Sequence, residues 1–135
     1  FDDTTLLEEG EKVLQQVLPI YCEVLLGEEY RDNVSEIIID GYTDTNGTYD
    51  YNLELSQQRS LAVAQYLLSI DDQFLDSEQI QMLQEKLTVN GHSMSNPILN
   101  EDGTVNMDAS RRVEVKFRLK DEDMISEMSK IVAEE

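Results

Sequence analysis

Three patterns in the sequence predict helices packed on a β-sheet in one domain, an α/β or α+β sandwich. Residues 34–40 carry Ile37, Ile38 and Ile39 in a row, the β-branched run of a strand buried on both faces. Residues 112–120 alternate, with Val113, Val115, Phe117 and Leu119 on one side and Arg112, Glu114, Lys116, Arg118 and Lys120 on the other, the pattern of a half-buried strand. Stretches of helical periodicity precede and separate these strands.

The first such stretch opens with Thr5 and Glu8, a capping box, followed by Leu6, Gly10, Val13, Leu14, Val17, Leu18, Tyr21 and Leu25 at helical spacing. Pro19 lies inside the pattern and lacks the amide that would bond back to Gln15, so a kink or restart is expected there. Phe1 reads as the end of a strand that begins further upstream. After the central strand, residues 41–51 are rich in Gly, Asn, Asp and Thr, which is loop chemistry. Ser56 is the expected N-cap of the next helix, whose inward stripe reads Ala62, Val63, Tyr66, Leu67 and Ile70.

Residues 71–86 are polar, with a short helix expected over 77–84. Residues 87–91 read as a short strand, followed by a turn through Ser95, Asn96 and Pro97 and a polar loop over 100–108. Beyond Lys120 the expectation is an amphipathic closing helix over 121–133, with Met124, Ile125, Met128, Ile131 and Val132 along one stripe. That stripe either covers the domain's own core or meets a partner chain, a homodimer being the simplest case. The expected organisation is a domain over residues 1–120, its first strand truncated, with an appended helix over 121–135.

Composition removes several function classes. The 135 residues hold 10 Lys and Arg against 29 Asp and Glu, a net charge of −19. So negative a surface repels phosphates, which argues against general binding to nucleic acid or to an anionic bilayer face. Forty per cent of residues are apolar, enough for a core rather than a disordered acidic chain. No stretch approaches the ~20 consecutive apolar residues that cross a bilayer. The chain begins with Phe1 rather than Met, the expectation for a processed chain or a fragment whose anchor lies elsewhere. Cys22 is the one cysteine, so no internal disulfide forms, and it reads as a small apolar helix residue.

The candidate chemistry centres on Asp44 and Arg59. Arg59 sits one turn before Val63, at the border of the stripe that faces the sheet, where a guanidinium needs an anionic partner. Asp44, just past the central strand, is one such partner, which makes a structural ion pair. A ligand carboxylate is the other, in the bidentate geometry Arg favours. A site with both residues side by side suits a zwitterion, ammonium on Asp44 and carboxylate on Arg59.

The run Ile39-Asp40-Gly41-Tyr42-Thr43-Asp44-Thr45-Asn46-Gly47, then Asn52, Leu55-Ser56, Arg59, Val63 and Tyr66-Leu67, and finally Ser110-Arg111-Arg112-Val113-Glu114-Val115, resembles the OmpA-like peptidoglycan-binding domain. That module is shared by OmpA C-terminal domains, the peptidoglycan-associated lipoprotein and flagellar stator proteins of the MotB type, and the resemblance runs from Phe1 to about Leu119. It implies an α+β fold, a βαβαβ sandwich with helices on a mixed sheet, and a non-catalytic role without cofactor. The implied partner is the diaminopimelate residue of a peptidoglycan stem peptide, gripped by Asp44 and Arg59, with Asn52, Leu55 and Thr43 completing the ligand-binding set. The implied location is the cell envelope, on the extracytoplasmic side, joined to the membrane only through a segment outside this chain. The alternative within the family is a stator-like assembly domain of a membrane complex that no longer binds the wall. Tyr42, Ser60 and Ser110 depart from the family pattern, which has His, Ala and Asn there.

Other readings carry less. Asp44, Asn46, Asp50 and Glu54 suggest calcium, but Gly47 comes too early for an EF-hand and its twelfth position would be Leu55. His92 is the single histidine and reads as structural, which leaves zinc without a ligand set. Asp44 and Asp50 could pair as in a glycosidase, yet no nucleophile elbow or phosphate loop accompanies them. Arg112, Lys116, Arg118 and Lys120 lack interleaved aromatics and read as neutralising nearby acids, while Arg111 and Arg112 read as braces of the fold or site rim.

Overall fold

Every described strand joins one mixed sheet, and the central strand is the isoleucine run. A computed structural model describes residues 8–120 and 125–132, with the side chains of residues 16–120. The elements run α1 (Glu8–Leu25), β1 (Val34–Tyr42), α2 (Tyr49–Ile70), a 3-10 turn (Asp71–Gln73), α3 (Ser77–Lys86), β2 (Leu87–Gly91), α4 (Met107–Ser110), β3 (Arg112–Leu119) and β4 (Ile125–Val132). The sheet order is β2-β1-β3-β4, with β1 parallel to β2, and β3 antiparallel to both β1 and β4. This is the α+β architecture with helices on a mixed sheet.

Side-chain alternation divides β1 between two environments. Ile37 and Ile39 join Val113 and Val115 in a core closed by Leu18, Tyr21, Cys22 and Leu25 of α1, Val63, Ala64 and Leu67 of α2, and Leu83 of α3. The Tyr21 hydroxyl donates to the Val115 carbonyl at 3.0 Å, tying α1 to β3. Cys22 is buried, and burial, reinforced by the charge of Asp71, pushes its thiol up to about 12, so it acts as a small apolar residue. On the opposite face, Ile38, Asp40 and Tyr42 alternate with these and are buried as well.

Several sequence expectations change. The helix α1 continues through Pro19, so no restart occurs. The Thr5 cap and the Phe1 strand lie outside the described residues. Ser56 is not the cap of α2. The Gly47 turn, at φ +90°, ends the loop earlier, and Thr48 caps the helix by accepting from the Tyr51 amide at 3.1 Å. The short helix over 77–84 forms as α3, capped by Asp76 and Gln79 in a capping box.

The largest difference lies at the carboxyl end, where the expected closing helix is replaced by β4. A stripe of Ile125, Met128, Ile131 and Val132 fits helical spacing, but Ile and Val also favour strands. The free edge of β3 decides the matter, because it offers a row of unpaired amides and carbonyls. β4 takes that edge, pairing Val113 with Ile131 and Phe117 with Ser126. Met124 lies outside the described residues. Residues 125–132 thus extend the same sheet as its fourth strand.

Candidate functional site

Two glycines bring α2 down onto the sheet. Gly41 and Gly91 are register partners across β1 and β2. A Cβ at Gly41 would lie 2.4 Å from the Ser56 carbonyl oxygen and from Ser60 Oγ, and one at Gly91 would lie 2.5 Å from the Gln57 amide nitrogen. Only glycine admits this approach. Polar contacts then lock it: Ser60 Oγ donates to the Asn90 carbonyl at 2.6 Å, and the Ser93 amide donates to Ser56 Oγ at 2.9 Å. The turn of α2 held in this way carries Leu55 and Arg59, both buried, Arg59 at 1% exposure.

The loop leaving β1 is fixed from the other side. The Thr43 amide donates to the Ser93 carbonyl at 2.9 Å, and the Ser93 hydroxyl donates to the Tyr49 carbonyl at 2.8 Å. Asp44 follows at 8% exposure. Its Oδ1 accepts from the Asn46 amide at 3.0 Å, which tightens the turn, and Asn52 Nδ2 donates to the Asn46 carbonyl at 2.7 Å. Thr43 and Asp44 therefore belong to one hydrogen-bonded loop, which Asn52 braces from the first turn of α2, with Leu55 and Arg59 further along the same helix.

Asp44 forms an ion pair with the segment that enters β3. Arg111 Nη1 donates to Asp44 Oδ2 at 2.6 Å, and its Nη2 donates to Asp108. Arg111 directly follows α4, a four-residue helix whose cap, Asn106, accepts from the Ala109 amide at 3.0 Å. Ser110, in place of the family's Asn, holds the Ile98 amide on its hydroxyl at 2.9 Å. The sequence paired Arg111 with Arg112 as braces; only the tertiary fold reveals that Arg111 reaches Asp44.

Arg112 has a different role. Its Nε donates to Glu114 Oε2 at 2.7 Å and its Nη2 to the Asn96 carbonyl at 3.0 Å, while its guanidinium lies 4.0 Å from the Tyr42 ring centroid. Lys116 Nζ reaches Glu114 at 3.1 Å and Asp40 at 3.3 Å, and His92 Nε2 meets Asp40 at 2.9 Å. His92 also stacks on Tyr42 with centroids 4.9 Å apart. Burial works to raise the Glu114 carboxyl, but bonds from Arg112 and Lys116 outweigh it and hold the group below the ordinary value. The polar side of β3 was read as exposed; at Arg112 and Glu114 it is buried in this network.

Among the described residues, no three His, Cys, Asp or Glu side chains gather as metal ligands, and no helix is long and apolar enough to cross a membrane.

Comparisons with known proteins agree with this architecture. A model of the OmpA family matches residues 1–111. The Zorya protein ZorB of Escherichia coli O139:H28 is 37% identical over 119 residues, which is 84% of this chain and 46% of that protein. The chain spans about half the length of the curated relatives it matches. The crystal structure of the peptidoglycan-associated lipoprotein from Burkholderia pseudomallei superposes with a TM-score of 0.58 at 22% identity, covering 87% of this chain and 85% of that one. The cell wall anchor of the T6SS from Pseudomonas aeruginosa gives 0.52 at 21% identity, over 88% of this chain and 73% of that one. At such identities these two likenesses concern the fold.

Proposed function

The chain belongs to the OmpA family, and on that premise we propose that it is a non-catalytic wall-binding module, which recognises the diaminopimelate residue of a peptidoglycan stem peptide and so tethers a membrane protein in the cell envelope. Asp44 takes the ammonium of the diaminopimelate side-chain end, and Arg59 attracts its carboxylate. Thr43, Asn52 and Leu55 shape the turn and helix start between them.

The observation that carries this reading is the construction around Asp44. A carboxylate at 8% exposure is anchored by a backbone amide on one oxygen and faces a guanidinium on the other, in the loop that leads into the helix bearing Arg59. Such a desolvated, oppositely charged arrangement suits a zwitterion better than either ion alone. Charge distribution supports it too. At −19 overall, the surface repels anionic wall polymers, so attraction has to come from a local site. The fold likeness to a peptidoglycan-associated lipoprotein and to a cell wall anchor is consistent with the same use.

Calorimetric titration with a diaminopimelate-containing stem tripeptide tests the proposal. Saturable binding is expected, weakened at least about tenfold by Asp44→Ala or Arg59→Ala, because each strands one charge of the ligand. No saturable binding by the wild type sinks the proposal and leaves the assembly-domain alternative.

A further inference from the structure

We propose that the outer edge of β2 receives an extended, cationic segment of a partner protein, which pairs with the backbone of Val89 and Gly91 and adds a further strand to the sheet.

The two edges of the sheet are built differently. β4 forms one of them; it carries Glu127 and Lys130 and pairs with β3 through a register shift. Charges and irregular pairing are the devices by which edge strands avoid other chains. β2 forms the other edge with the sequence Leu-Thr-Val-Asn-Gly, which has no charge and no proline, in unbroken register against β1. The His92 amide donates to the Gly41 carbonyl at 3.0 Å, and backbone groups alternate sides along a strand. Thr88 and Asn90 therefore face β1, while Leu87, Val89 and Gly91 face outward. Two outward groups are already engaged. The Leu87 amide donates to the Leu83 carbonyl, and Gln57 Nε2 donates to the Val89 carbonyl at 3.3 Å. Gln57 is an exposed side chain standing where a strand amide would stand, so an arriving strand replaces it. The Val89 and Gly91 amides have no backbone partner among the described residues.

α2 supplies the side-chain half of the site. It crosses β2 with Ser56 and Gln57 beside Gly91 and with Ser60 on the Asn90 carbonyl. Leu61 and Leu68 stand one and three turns beyond Gln57 on the same line of the helix, 43% and 40% exposed. A strand laid along β2 turns every second side chain to the face that α2 covers, where these leucines favour apolar residues. Main-chain bonds then give affinity, and the alternate apolar positions give selectivity.

Charge names the occupant. Residues 49–91, which hold α2, α3 and β2, carry seven Asp and Glu against Arg59 and Lys86. Arg59 is buried, and Lys86 donates to the Val34 carbonyl at 2.7 Å, so neither offsets the acids beside this edge. A strand bearing Lys or Arg at its polar positions is attracted here. A second copy of this chain, itself at −19, is repelled. The edge runs along the side of the sheet, so its use does not depend on wall binding at Asp44.

The test titrates the chain with a short capped peptide that alternates lysine and valine. Two control peptides accompany it, one with glutamate for lysine and one N-methylated on the amides of its pairing edge. Saturable binding of the lysine peptide is expected, with at least about tenfold weaker binding of the glutamate peptide and of the N-methylated one. Hydrogen exchange at the Val89 and Gly91 amides should slow at least about tenfold at saturation. Val89→Pro deletes an outward amide and spares the bonds to β1, so it should weaken the lysine peptide at least about tenfold. Should that variant fail to fold, Leu61→Gln and Leu68→Gln on the exposed face of α2 should each weaken it severalfold while stem-peptide affinity stays at the wild-type value. The N-methylated control needs no variant at all. Absence of saturable binding, protection gained on β4 instead of β2, or equal binding of the N-methylated peptide overturns strand addition at this edge. Equal affinity for the glutamate peptide overturns the cationic partner. A wild-type dimer that Val89→Pro converts to monomer overturns the partner segment in favour of a second copy.

Discussion

Arg111 and Asp44 stand 67 residues apart in sequence, and the 2.6 Å bond between them joins the loop leaving β1 to the segment entering β3. This bond is also structural, because it closes the two connections over one end of the sheet. Asp44→Ala removes the acceptor for both Arg111 and the Asn46 amide. The expected cost is about 1–3 kcal/mol, the penalty of leaving partly buried donors without their partner. Urea denaturation should show a lower midpoint with an unchanged slope, the signature of lost stability without a change in unfolded-state exposure.

Gly41→Ala and Gly91→Ala should each destabilise the domain and disturb the site together. The new methyl would lie 2.4 Å from α2 atoms at Gly41 and 2.5 Å at Gly91, and most of those atoms are backbone that cannot rotate away. The helix has to lift from the sheet, at about 1–3 kcal/mol, and Arg59 moves with it. Stem-peptide affinity should fall along with the melting temperature. Gly103→Ala is the informative control, because the added methyl there meets no atom within 4 Å, although its φ of +91° still carries a backbone penalty of about 1 kcal/mol. It should lower stability slightly and leave affinity alone.

What could be read from the sequence was what local pattern records. The Ile37–Ile39 run marked β1 as doubly buried, and the 3.6-residue period marked α1 and α2. Ser56 was mistaken for a cap because Ser is as good a cap as Thr in isolation, and only the packing of Gly41 and Gly91 shows why Ser56 has to face inward. Arg112 and Glu114 alternate with valines as a solvated face would, and nothing local records that Tyr42, Lys116 and Asp40 enclose them. The Asp44–Arg111 pair left no sequence signal beyond the doublet of arginines, since a contact over 67 residues has no period. The segment of β4 fits either periodicity, and the edge it pairs with is a property of the sheet.

The acid side of the stability curve should depend on Glu114. Bonds from Arg112 and Lys116 overcome the cost of burial and depress its carboxyl below the ordinary 4.5. A depressed carboxyl contributes stability that is fully present above 4.5 and is lost as pH falls through the folded-state value. Glu114→Gln should therefore destabilise the domain at neutral pH by about 3 kcal/mol, because Arg112 is left buried without its charge partner. The gap between wild type and variant should narrow as pH drops well below 4.5. Melting temperatures measured across that range check the sign, and a gap independent of pH would show that Glu114 acts by packing alone.

Truncation after Lys120 distinguishes a strand from an appendage. β4 covers the outer edge of β3, pairing Arg112 with Val132 through Arg118 with Ile125. Removing it exposes the ladder edge of the strand that carries Val113 and Val115 in the core and that Arg111 leads into. An unpaired edge of this kind both loses ladder hydrogen bonds and recruits other chains. The truncated protein should melt at a lower temperature, and size-exclusion chromatography should show concentration-dependent association absent from the full chain. An appended helix would predict the opposite, unchanged melting and an unchanged elution volume. Circular dichroism supplies an independent check: the difference spectrum between full and truncated chains should have the shape of β-structure, with no helical minimum.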